Sequence, residues 1–147
     1  MSTALTLLLI VSLRADKVDF PKYYIGQFYG IGWVTRHKED VVAEKYDSFA
    51  VRVTNDELTL SITRNSRTDM RVYDVKNIRQ WGHDNKYLAE LQQYSLAGGR
   101  RIDLGKYHLV ISVTDDIMNI LISGQEYKSM TLRVANDDFL ELFTLRR

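Results

Sequence analysis

The chain has 147 residues with one proline, no cysteine, and 20 basic against 19 acidic residues, a net charge of +1. This length sets one domain as the default, and 45% hydrophobic residues is too apolar for disorder and sufficient for one core or barrel wall. The charge balance argues against a protein that works by non-specific attraction to phosphates. The absence of cysteine excludes disulfides, thiolate metal sites and cysteine nucleophiles together.

In chain order, the first feature is the run Ala4 to Leu13 (A-L-T-L-L-L-I-V-S-L). It has the length of a signal-peptide core and is too short to span a bilayer. Ala15 suits the position before a cleavage point; Leu13, and the lack of Lys or Arg ahead of the run, depart from that pattern. Residues 1–19 are therefore a signal peptide or N-terminal segment ahead of a domain over 20–147, with secretion as the expected destination. The alternative is a cytoplasmic protein whose N-terminus is a buried strand or helix.

After Phe20 the pattern is that of β-structure, rich in Tyr and Val with repeated apolar–polar alternation. Gly26 to Arg36 forms the first strand. Phe49 to Val53 and Leu58 to Thr63 alternate on either side of Thr54-Asn55-Asp56-Glu57, a hairpin. Arg64-Asn65-Ser66-Arg67 turns the chain into a third run, Met70 to Ile78, with Val72 on one face and Tyr73 and Val75 on the other. Lys86 to Tyr94 contains good helix formers, but its β surroundings favour a strand with Tyr87, Ala89 and Leu91 on one face. Gly98-Gly99 and Gly105 mark loops. Tyr107 to Val113, Ile117 to Ile122 and Tyr127 to Val134 follow as strands. Their short connections, Thr114-Asp115-Asp116 and Ser123-Gly124-Gln125-Glu126, imply antiparallel neighbours. Asn136, Asp137 and Asp138 suit a helix start, and Phe139, Leu142 and Phe143 recur at helical spacing, which predicts a short C-terminal α-helix outside the sheet. The fold class is thus all-β, an eight-stranded antiparallel up-and-down β-barrel with a short C-terminal helix. Such a barrel has room for one small ligand.

The segment Tyr24-Ile25-Gly26-Gln27-Phe28-Tyr29-Gly30-Ile31-Gly32 resembles the opening motif of the lipocalins, a glycine, any residue, then a tryptophan. Gly26 and Tyr29 match, and Phe28 stands where that family has its tryptophan, keeping a flat apolar plug without the indole N–H. Thr114-Asp115 resembles the family's Thr-Asp-Tyr turn between two late strands, with Asp116 in place of the tyrosine. The resemblance covers roughly Phe20 to Leu145 and rests on the order of elements as much as on motifs. It implies that Phe28 closes the bottom of the barrel, that an arginine on the last strand, Arg133, stacks on it, and that the interior carries a small apolar molecule.

No catalytic constellation emerges. His37, His83 and His108 lack metal-ligand spacing. Asp115-Asp116 and Asp137-Asp138 sit where a turn and a helix start favour acids. Gly26, Gly30 and Gly32 are followed by no phosphate-binding Lys-Ser or Lys-Thr; they let the first strand bend around the barrel. The enzymatic exception among lipocalin-like proteins, prostaglandin D synthase, uses a cysteine thiol that this chain lacks. No enzyme activity, cofactor, nucleic-acid partner or membrane span is expected. The expected function is binding or transport of a small hydrophobic or amphipathic ligand, with Phe49, Val51, Leu58, Leu60, Leu109, Ile111, Ile120 and Met130 as candidate wall residues. The alternative is a filled barrel whose loops bind a protein partner or receptor, through the stretch Gln80 to Lys106 with Trp81, Tyr87 and Tyr94.

Overall fold

The computed structural model describes residues 18–37, 40–42, 47–82, 85–124 and 139–147. The expected signal peptide, the strand at Tyr127 to Val134, and with them Met130, Arg133 and the proposed helix start at Asn136 to Asp138, lie outside the described residues. A 3-10 turn, Lys22–Tyr24, precedes nine strands: β1 Gly26–His37, β2 Asp40–Val42, β3 Ser48–Val53, β4 Glu57–Arg64, β5 Arg67–Gln80, β6 Lys86–Ala97, β7 Arg100–Thr114, β8 Ile117–Gly124 and β9 Phe139–Arg146. Neighbours in sequence pair antiparallel from β3 to β9, and β9 pairs back onto β1, closing the sheet.

β2 does not add a ninth stave. Thr35–His37 pair with β2 on one edge of β1 and with β9 on the other, while Tyr29 pairs with β3 and β9. β2 and β3 therefore share one edge of β1, and the ring has eight staves. No exposed edge runs the length of this ring, which removes the usual route to edge-to-edge aggregation.

Alternation fixes what faces inward. Val51 and Val53, Leu58 and Leu60, Tyr73 and Val75, Leu109 and Ile111, and Ile120 and Ile122 all point into the barrel and are buried. Their outward neighbours, including Arg52, Lys76 and Glu90, are exposed. Among the described residues no helix is long and apolar enough to cross a membrane.

Three hairpins turn on two residues with positive φ: Asn65-Ser66, Gly98-Gly99 and Asp115-Asp116. This is the turn geometry whose twist matches antiparallel strands. The first strand bends as its glycines suggest, through a register shift between Gly30 and Gly32 against β9. A second irregularity in β5 leaves Asn77 at positive φ, where its side-chain amide donates to Glu90 at 2.7 Å.

Two expectations are corrected. Residues 139–146 form a strand rather than a helix. Their sequence fits both periods, since Glu141, Phe143 and Leu145 alternate inward as well as Phe139, Leu142 and Phe143 recurring at helical spacing. The extended form is selected because it pairs with β1 on one side and β8 on the other, satisfying backbone groups that an outside helix would leave to the two strand edges. Gly105 marks no loop: it lies within β7, opposite Gln93 at a register shift.

Candidate functional site

One end of the barrel is sealed by aromatic rings. Phe20 stacks on Tyr24 at 5.9 Å between centroids, and Tyr87 meets both edge-on at 6.1 and 5.3 Å. Tyr24 is fully buried and its hydroxyl donates to the backbone carbonyl of Asn85 at 2.9 Å. Burial pushes the Tyr24 phenol up to about 12. The Asn85 amide donates in turn to the Val113 carbonyl, so the 3-10 turn is tied to the ends of β6 and β7. Phe28 lies in this plug at 0% exposure.

The guanidinium of Arg147 lies 4.9 Å from the centre of the Phe28 ring and donates to the Tyr23 carbonyl at 2.6 Å. Among the described residues the arginine over the opening aromatic is Arg147, the expected Arg133 lying outside them; the residue following β9 reaches this end because β9 is the closing strand. The second matched residue, Tyr29, points outward and is exposed. Gly26 starts β1 with φ 130°, a value open to glycine.

Seven of the eight candidate wall residues lie on the inner face: Phe49, Val51, Leu58, Leu60, Leu109, Ile111 and Ile120. All but Phe49 have 0–1% exposure, so no water-sized space adjoins them. They form the packed half of the interior next to the plug.

The other half differs. Arg71 on β5 and Glu141 on β9 stand on diametrically opposite staves of the ring. The Arg71 Nη1 donates to both Glu141 oxygens, at 2.7 and 3.1 Å, and the pair spans the lumen as a crossbar. Glu141 is 2% exposed, Arg71 31%. Burial raises the Glu141 carboxyl above its ordinary range, against the opposing pull of Arg71 and of the nearby Trp33 indole. Burial disfavours the Arg71 charge, yet Glu141 and Tyr73 more than restore it, leaving its pKa raised. The Tyr73 phenol, desolvated by burial, is pushed up to about 12, and its ring meets Tyr107 edge-on at 5.8 Å. Beside Glu141, and directly opposite it in the β1–β9 register, the Thr35 hydroxyl is buried with no hydrogen-bond partner among the described residues.

Phe49, Trp33 and Tyr107 are half-buried around this crossbar. Phe49 leans on Phe143 at 5.7 Å and occupies the space over Gly30, where a Cβ would lie 2.3 Å from its ring. Sequence reasoning missed Arg71, Glu141, Trp33 and Thr35. Each sits at an inward position of an alternating strand, and a polar residue at such a position is the signal that could have found them.

The stretch Gln80 to Lys106 is not a loop surface. Tyr87 is part of the plug, and Tyr94 faces the outer wall, donating to Glu57 at 2.9 Å beneath the guanidinium of Arg101. Trp81 is exposed, with the Lys86 ammonium 5.9 Å from its ring.

The chain matches no known family model, no curated protein and no solved structure.

Proposed function

We propose that this barrel binds and carries a small amphipathic molecule, admitted at the end opposite the plug. The observation that carries this reading is the contrast between the two halves of the lumen. Near the plug the inward side chains have almost no accessible surface, whereas Trp33, Phe49, Arg71 and Tyr107 point inward and still meet solvent. Inward residues reached by water imply space inside the wall, and aromatic faces beside a few polar groups suit an amphipathic guest. The lipocalin resemblance supports the same reading: Phe28 lies in the plug and an arginine stacks on it. Titration with a neutral lipophilic dye such as N-phenyl-1-naphthylamine tests the proposal. Saturable binding by the native protein that Phe49→Trp weakens is the expected result, since a larger ring there fills the open half. Absence of saturable binding would overturn it.

A second reading, a scaffold for a protein partner, draws on the β6–β7 hairpin. This hairpin continues past the last pairs with β5 and β8, and Leu96, Ile102 and Leu104 on it are exposed. Loss of partner capture on replacing these three residues with serine, in a protein that binds no dye, would favour this reading over carriage.

A further inference from the structure

We infer that the guest is held head-inward, with a carboxylate as its polar end, by the Arg71 crossbar. This rests on the carrier reading and names the chemistry of the site. Glu141 engages a single nitrogen of the Arg71 guanidinium, Nη1. A guanidinium has five N–H donors in a fork that matches a carboxylate. The Glu141 oxygens already accept from Arg71 and are approached by the Trp33 indole, so the acceptors of the crossbar are largely used, while the guanidinium, which also meets the Tyr73 phenol, keeps further N–H donors.

The side of Arg71 that meets solvent is therefore a donor surface, and the unpartnered Thr35 hydroxyl lies beside Glu141 at the same level. A donor-rich site selects an acceptor, and a charged acceptor gains most because charge-assisted hydrogen bonds are the strong ones. Among the described residues the β4–β5 part of the rim has the matching sign. Arg64 and Arg67, paired across the β4–β5 turn, lie on the same face of their strands as Arg71, against Asp69 as the acid on that face of β5. Beyond the crossbar the interior is packed, so a guest reaching Arg71 stops there with its apolar part against Phe49, whose partner Ile62 lies nearer the mouth than the Leu60–Arg71 pair.

The test is displacement of N-phenyl-1-naphthylamine by octanoate and by 1-octanol from the full chain. Octanoate is expected to displace the dye at a concentration about tenfold or more below that of octanol, the advantage of a hydrogen bond to a charged group. Glu141→Gln keeps the shape, removes the competing carboxylate and should raise octanoate affinity several-fold, a gain that a merely structural role for Glu141 does not produce. Arg71→Met alone would strand the buried Glu141 carboxylate and risk the fold, so it is combined with Glu141→Leu, an apolar replacement of the whole pair that proteins tolerate. The double variant should still bind the dye saturably, with an affinity of its own, and lose the preference for octanoate over octanol. Dye binding with no preference for the acid in wild type, or a preference that survives in the double variant, overturns the head-group assignment and leaves the carrier reading intact. If dye, alcohol and acid all fail to bind, both fall.

Discussion

Truncating Phe28 to alanine is the sharpest probe of how the plugged end holds. The ring is fully buried among the residues that seal the barrel and has the Arg147 guanidinium 4.9 Å from its centre. Deleting a packed phenylalanine costs about 3–5 kcal/mol through lost transfer energy and the cavity left behind. In a domain of this size each kcal/mol moves the melting temperature by about 2–4 °C, so Phe28→Ala should melt roughly 6–20 °C below wild type. Arg147→Ala removes the cation–π contact and the bond to the Tyr23 carbonyl, about 1–2 kcal/mol together. Because the cation–π term disappears in either single variant, the double variant should fall short of the sum by about 0.5–1 kcal/mol. Phe28→Trp, the residue that lipocalins carry here, should melt within a few degrees of wild type (about 1 kcal/mol at the shift above), since the exposed Arg147 can shift to admit the indole. Circular-dichroism melts of the four variants supply the cycle. An alanine variant that melts within about 3 °C of wild type would refute the assignment of Phe28 to a packed plug.

Two other predictions concern the open half and the buried phenols. Gly30→Ala places a methyl 2.3 Å from the Phe49 ring and should cost about 1–3 kcal/mol in urea melts as overpacking; combining it with Phe49→Ala should relieve that strain, and strict additivity would show that the two do not touch. The Tyr24 and Tyr73 phenols, raised by burial from 10.0 to about 12, contribute stability that is fully present below pH 10 and is lost as pH rises through 12. Absorbance titration at alkaline pH should therefore show Tyr24 and Tyr73 among the late-ionising members of the nine tyrosines, with Tyr94 and Tyr107 raised as well by the Glu57 hydrogen bond and by burial, and the ionisation of the buried pair accompanied by unfolding. Two late phenols that disappear from the titration in Tyr24→Phe and Tyr73→Phe confirm the assignment, and nine ordinary ones refute it.

Most of the wall is legible in the sequence, because period-two alternation is a local property of the chain. Phe49 to Val53, Leu58 to Thr63 and Tyr107 to Val113 fall in β3, β4 and β7 with the expected faces buried, and Asn65-Ser66 and Asp115-Asp116 form tight turns. What local pattern could not supply was anything depending on two distant segments at once. Phe139 to Arg146 fits helix and strand equally, and only the two open edges of β1 and β8 decide between them. Arg71 and Glu141 are 70 residues apart and look like ordinary surface charges in sequence; closure of the ring sets them on opposite staves and makes them a pair across the lumen. Likewise Arg147 reaches Phe28 only because the last strand returns beside the first. Alternation determined that there would be an apolar inner wall, since which face a residue takes follows from its parity along one strand. The order of staves around the ring decided which polar residues share the interior, since that depends on how the strand ends meet.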